Sequence, residues 1–363
     1  MDSPAGERPP TELLAHTSSA FQWATILLGS ALLFIGLEAM GLPAAALIGP
    51  MLVGVVAGVN GATVRVPKPL FAGAQAIIGI LIARSIEPEM LTAFADDWPP
   101  FLLGVVSTVA ASSFLGWQIS RWKILPGSTA VWGSAPGAAT AMVLMAGAFG
   151  ADARLVAFMQ YLRVLMVAGV AAAIAALIGG EAGVAPEPVV WFPPFEPLAF
   201  ATVAGVAALG AAGGWLLRLP SPFVLGAMTL GAALHLGGGV DFQLPHWLLA
   251  ASYALIGWTI GLNFTRTIVR HAARALPQVL GSIVALMLFC AGMALVLSHW
   301  LGVDILTAYL ATSPGGMDSV AIIAAASSSV NMSFVMAMQL GRFLVVLLLG
   351  PSIARLIAGR MRV

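Results

Sequence analysis

The sequence predicts an all-α polytopic membrane protein built from two homologous halves, and three observations carry that prediction. Of 363 residues, 60% are hydrophobic and only 9% charged, well below the roughly 25% charged fraction of soluble domains; the mean hydropathy is +0.98. Apolar runs of about 20 residues, the length that crosses a hydrocarbon core of about 30 Å, recur along nearly the whole chain. The third is an internal echo. Pro136 in GSAPGAATAM and Pro314 in TSPGGMDSVA lie at an offset of 178, from 136 to 314. Near that offset LPAAALIGPM (42–51) meets LPSPFVLGAM (219–228), and QYLR (160–163) meets QLGR (339–342). A repeat this long implies a duplicated helical bundle rather than a solenoid.

Residues 1–18 are polar and proline-containing and lack the basic-then-apolar order of a cleavable signal peptide, so they read as a disordered tail. The first repeat, 19–180, carries apolar spans at 20–40, 43–59, 70–88, 100–119 and 155–179. A polar, proline-rich linker (181–196) precedes the second repeat, 197–363, with spans at 197–217, 221–238, 247–265, 277–299 and 332–356. Each repeat also holds one apolar segment, 126–150 or 304–330, interrupted by Pro-Gly, and neither reads as one uninterrupted helix.

How these broken segments cross decides the topology. If each dips in and returns as a hairpin, five spans cross per half. The basic loops then share one side: Arg8, Arg65, Lys68, Arg121, Lys123 and Arg154, followed by Arg218, Arg266, Arg270, Arg274 and the C-terminal arginines. The positive-inside rule makes that side cytoplasmic, with both termini on it, and the two halves are then inverted. A full span with a broken centre in each half is the alternative.

A helix that stops inside lipid leaves backbone groups that lipid cannot satisfy. The start of the following helix also presents its positive dipole end, which suits an anion. Candidate solute ligands are therefore Ser134, Pro136, Gly137 and Thr140 at the first break, and Ser313, Gly315 and Gly316 at the second. Asp318, whose counterpart in the first half is the neutral Thr140, caps its own helix, pairs with Arg342 or, with Ser319, binds a coupling cation or proton. Arg163 and Arg342 sit well inside apolar spans, where a charge costs about 2.5–3.5 kcal/mol and calls for compensation. Gln160 and Gln339 precede them by one helical turn, on the same face. These four side chains either line a polar cavity or hold the carbonyl ends of the broken helices.

The 16 Lys+Arg against 15 Asp+Glu leave no basic patch for nucleic acid. The single cysteine, Cys290, excludes an internal disulfide and reads as a small buried hydrophobe. The five histidines include no pair at metal-ligand spacing, and the chain holds neither a phosphate-binding glycine loop nor a nucleophile elbow. No metal, no cofactor and no enzymatic activity are expected. Tryptophans near span ends, among them Trp23, Trp98, Trp191, Trp247 and Trp300, read as interfacial anchors.

The duplicated Pro-Gly break and paired QxxR residues resemble the duplicated AbrB-type membrane protein family of bacteria. The likeness runs beyond the tail to the C-terminus and is strongest over GSAPGAATAMVLMAGAFGADARLVAFMQYLRV and TSPGGMDSVAIIAAASSSVNMSFVMAMQLGRFLVV. Members carry labels as regulators of gene expression or as ammonia monooxygenases. The family is also similar to inverted-repeat cation/proton antiporters, bile-acid-type symporters and hairpin-containing organic-anion carriers, whose broken helices meet at the substrate site. The resemblance implies the bacterial inner membrane, a homodimer through the scaffold spans, and a secondary transporter of a small solute, an anion, coupled to sodium or protons. The alternative is a membrane-embedded regulator that senses a small ligand without moving it. A tag or labelled cysteine at Asp152 is expected to report the cytoplasmic face; if both broken segments cross fully, it reports the opposite one.

Overall fold

The computed structural model describes residues 13–40, 42, 44–86, 98–125, 128–137, 139–178, 190–194, 196–219, 221–315, 320 and 330–360. Among them all regular structure is helical. The order is α1 (Ser19–Ala39), α2 (Ala45–Val59), α3 (Lys68–Arg84), α4 (Trp98–Arg121), α5 (Thr129–Ser134), α6 (Ala139–Ala148), α7 (Ala153–Ile178), α8 (Pro197–Leu216), α9 (Pro222–Gly238), α10 (His246–Gly261), α11 (Arg266–Leu301), α12 (Ile305–Thr312) and α13 (Met332–Arg360). Five of these are long and apolar enough to cross a membrane: α1, α4, α8, α11 and the first 19 residues of α13. The protein is an all-helical membrane protein.

Capping residues set several ends. The Ser18 hydroxyl accepts from Phe21 N at the start of α1, and Thr265 does the same for Ile268 N at the start of α11. Gly302, at φ 67°, ends α11 in the left-handed conformation that a side chain would strain. Helix α11 differs from the sequence expectation, because it begins at Arg266 rather than near 277. The basic stretch expected as a loop is its first turns, with Arg266, Arg270 and Arg274 exposed at helical spacing and Ile268, Ala272 and Ala275 buried on the opposite side. Three arginines in that stretch masked its 3.6-residue apolar period from a simple hydropathy reading. Pro277 lies inside the helix without ending it.

The helices fall into two groups. In one, α2 packs on α10, α3 on α9 and α10, α1 on α2 and α8 on α9. Small residues allow backbones to touch there. A Cβ at Gly257 would meet Leu47 O at 2.7 Å and Met51 N at 3.0 Å, and one at Gly58 would meet Leu262 O at 2.9 Å. Contacts thus advance together along both chains, so α2 and α10 run parallel. Gly79 against Val224 and Ala227, with Gly231 against Ala83, sets α3 and α9 parallel as well. Leucines on α1 and α8, including Leu28, Leu32, Leu198 and Leu209, face outward, where lipid replaces water as the surrounding solvent.

The second group holds α4 to α7 and α11 to α13. Here α5 runs alongside α7, with Thr129 at the level of Asp152 and Ser134 at the level of Arg163. The chain turns at Pro136–Gly137 and returns along α6 antiparallel to α7, with Thr140 opposite Tyr161 and Gly147 opposite Ala153. Residues 129–149 therefore form a helical hairpin whose two arms touch at Trp132 and Phe149, rings stacked at 5.5 Å. In the second half α12 lies along α13 in the same sense as α5 along α7.

Gly257→Val is expected to force α2 and α10 apart and lower stability by about 1–3 kcal/mol, the usual range for overpacking. The thermal midpoint in detergent reads this. Gly73→Ala, where nothing lies within 4 Å, serves as the control that keeps the wild-type midpoint.

Candidate functional site

Two buried Gln–Arg pairs hold the ends of the interrupted helices. Gln160 and Arg163 are 0% and 1% exposed on α7, and Gln339 and Arg342 are 1% and 2% exposed on α13. In the first half the Gln160 amide donates to Trp132 O at 2.8 Å and Ala135 O at 2.9 Å. Arg163 Nη1 donates to Ser134 O at 3.1 Å and Ala135 O at 3.0 Å, while its Nη2 donates to Gln160 Oε1 at 2.6 Å. The second half repeats the pattern. Gln339 donates to Leu310 O (2.7 Å) and Ser313 O (3.2 Å), Arg342 Nη1 to Thr312 O (3.2 Å) and Ser313 O (2.8 Å), and Arg342 Nη2 to Gln339 Oε1.

These carbonyls are the ones a helix leaves unpaired at its C-terminus, so each pair completes the hydrogen bonding of a helix that stops within the protein. The guanidinium also faces the negative end of the helix it caps. Only Nε of each arginine has no hydrogen-bond partner. The salt bridge among the described residues is elsewhere, between Asp152 and Arg154 at 2.8 Å.

The two breaks reach across the halves. A Cβ at Gly137 would meet Phe343 Cδ2, beside Arg342, at 3.5 Å; one at Gly315 would meet Val167 Cγ1, one turn beyond Arg163, at 3.1 Å. Ser134, Pro136, Gly137, Thr140, Gln160, Arg163, Ser313, Gly315, Gln339 and Arg342 thus gather around the two breaks. Within that group the Thr140 and Tyr161 hydroxyls share a 3.1 Å bond. Gly316, Asp318 and Ser319 lie outside the described residues. Among the described residues no group of three or more His, Cys, Asp or Glu side chains converges as metal ligands.

A second repeated contact escaped the sequence reading. Asp152 N donates to Thr129 Oγ1 at 3.2 Å, and Asn331 N donates to Thr307 Oγ1 at the same distance, tying each broken helix to the start of the helix that carries its arginine. The signal was present, because Thr129 and Thr307 lie at the offset of 178 that relates the two breaks and Asp152 and Asn331 within one residue of it, but threonine and a loop Asp or Asn carry no chemistry that draws notice. Arg154 adds a contact in the first half alone: it binds Asp152 through Nε and Nη2 and donates to Asn263 O, past the end of α10, at 2.9 Å. Burial raises the Asp152 carboxyl, but the hydrogen bonds and charge of Arg154 outweigh that and hold it below the ordinary carboxylate value.

Helices interrupted inside an apolar bundle, with their free carbonyls held by buried Gln–Arg pairs, define a polytopic membrane protein with a polar centre. Residues 46–358 match the family model described as Transition state regulatory protein AbrB, and the chain belongs to the AbrB family. It is similar to a protein of Escherichia coli (strain K12) named "Putative regulator AbrB", 47% identical over 338 residues that make up 93% of this chain and 97% of the relative. It is also similar to "Uncharacterized protein YhjN" of Bacillus subtilis (strain 168), 26% identical over 78% of this chain and 77% of that one.

Gln160→Leu leaves Trp132 O and Arg163 Nη2 unpaired, and Gln339→Leu leaves Arg342 Nη2 unpaired and Leu310 O with the Ser313 hydroxyl alone. Each is expected to cost about 1–3 kcal/mol, the penalty for unsatisfied buried groups. Arg163→Lys is expected to destabilise as well, since an ammonium cannot reproduce the planar fork that reaches carbonyls and amide together. Thermal unfolding in detergent checks all three, and a wild-type midpoint in the glutamine variants refutes the capping role.

Proposed function

We propose that the chain is a secondary transporter of the bacterial inner membrane that carries a small anion coupled to a cation or proton. The observation that carries this reading is a pair of helix breaks within an apolar bundle, each packed against the arginine-bearing helix of the other half. Backbone interrupted at such depth is otherwise unfavourable, and in transporters it marks the solute site. Around it stand the unpaired Nε groups of Arg163 and Arg342 and the unpaired hydroxyl of Ser134, hydrogen-bond donors suited to an anion. Asp318 and Ser319, four and five residues beyond Pro314 in the sequence, are the proposed ligands of the coupling sodium ion or proton.

The parallel course of α2 with α10 and of α3 with α9 supports inverted halves. Each connection between crossing helices reverses direction. Counting residues 129–149 as a hairpin that returns leaves α2 and α10 parallel, whereas counting them as a further crossing sets the two antiparallel. The division into a glycine-packed group (α1–α3, α8–α10) and a group that bears the breaks (α4–α7, α11–α13) supports alternating access by movement of one against the other; a dimer through the first group is part of the same proposal.

The regulator reading has one observation in its favour, the printed name of the Escherichia coli relative. Purified protein is to be screened for thermal stabilisation by small carboxylates and inorganic anions, and those that bind are to be tested as labelled solutes in proteoliposomes. Accumulation driven by an imposed sodium or proton gradient is the expected result. Binding without flux in a well-folded preparation sinks the transporter reading and favours a ligand sensor.

A further inference from the structure

The two breaks satisfy their hydroxyl groups differently. In the second half Thr312 Oγ1 donates to the backbone, with Ala308 O at 2.9 Å and Cys290 O at 3.1 Å, and Ser313 Oγ donates to Leu310 O at 3.2 Å. In the first half the position of Thr312 is held by Ser134, 8% exposed, whose hydroxyl has no partner. Beside it lies Arg163, 1% exposed, with Nε equally unpartnered. Both residues line a cavity between α4, α5, α7 and α11 in which the centre of a water-sized sphere can range over about 10 Å³, so one occupant slightly larger than a water molecule fits. Ser282 is the further polar residue in the wall, its hydroxyl donating to Val279 O at 2.8 Å, and Leu115, Ile283 and Leu286 are among the apolar ones.

Charge decides what fits. Arg163 has no carboxylate partner among the described residues. The helix that Arg163 caps is six residues long, so its dipole supplies at most about half an opposing charge. A buried guanidinium left this way carries a desolvation cost that a neutral water does not offset. An unpartnered guanidinium N–H and an unpartnered hydroxyl on two side chains that line the cavity suit an acceptor with no proton of its own.

We propose that this cavity binds one halide-sized monovalent anion, chloride in the cell, as the counter-ion of Arg163. Nε of Arg163 and Oγ of Ser134 donate to it. The site takes two of the donors named above for the solute and in that respect rests on the same reading of the centre, but it does not require transport: the ion stabilises the first break whether or not the chain moves a solute.

The test uses the full-length protein in detergent at fixed sodium concentration and ionic strength, with chloride replaced by gluconate. Titrating chloride or bromide back is expected to raise the thermal midpoint along a saturating curve, and equilibrium dialysis with radiolabelled chloride is expected to give one ion per chain. Ser134→Ala is expected to raise the half-saturating concentration about tenfold, the effect of one lost hydrogen bond to a charged group. Ser112→Ala on α4, whose buried hydroxyl donates to Val109 O and does not line the cavity, is expected to leave it unchanged. If Ser134→Ala does not fold, the dialysis stoichiometry on wild-type protein decides. Zero bound chloride, or equal midpoints in gluconate and chloride, means a water-filled cavity and overturns the proposal. A chloride response that Ser134→Ala keeps in full is a general salt effect and overturns it too. None of these readouts requires flux, so their failure leaves the transporter reading untouched, and absence of flux leaves the ion site standing.

Discussion

Lipid supplies no hydrogen bonds, and most of this molecule's centre follows from that constraint. A helix that stops in water hands its last carbonyls to solvent; one that stops inside an apolar bundle must find donors in the protein. Here a glutamine and an arginine one turn apart provide them, the amide reaching two carbonyls and the guanidinium reaching one of these and a third while gripping the amide oxygen. The spacing is part of the solution, because two side chains on one helical face converge on a single helix end. Arginine suits the position better than lysine, since it stays charged and donates in several fixed directions at once.

The QxxR echo made this centre legible in the sequence. A buried charge in an apolar span is rare enough to stand out, and its recurrence at the offset of the Pro-Gly breaks tied the two features together. Two uses of the arginines remained open, however, because spacing says which face a side chain occupies and not what meets it there. The structure places Nη1 and Nη2 on helix-end carbonyls and the glutamine and leaves Nε without a partner, so one residue serves the fold with two of its nitrogens. Most helices of the first group were legible from hydropathy, but their pairing was not. The glycines that bring α2 onto α10 lie in sequence full of Gly and Ala, with nothing to distinguish the ones that touch. The start of α11 was misplaced for the opposite reason, as three arginines hid an apolar face that continues beneath them.

Duplication explains the likeness of the halves, and their differences are the more informative part. Thr312 and Ser313 close their hydroxyls onto backbone, whereas Ser134 leaves its hydroxyl open. Arg154 binds Asp152 and reaches Asn263 across the boundary between the two helix groups, but Ser333 stands at the matching place in the second half. Both differences leave the clamp on the helix ends intact. They fall instead on groups around it, where a change alters what the site can hold or what it touches without exposing an unpaired carbonyl.

That distribution bears on how a transporter could move without coming apart. In this reading the groups that must never lose their bonds are the helix-end carbonyls, and every donor to them comes from the same helix group as the break it serves: α7 for the first, α13 for the second. A shift of the break-bearing group against the glycine-packed one therefore disturbs none of the clamps. What such a shift must give up are contacts between the groups, and the Arg154 to Asn263 bond is of that kind, partly exposed and able to exchange its partner for water. The costly bonds lie inside the unit that moves as one body, and the replaceable ones lie at its edge.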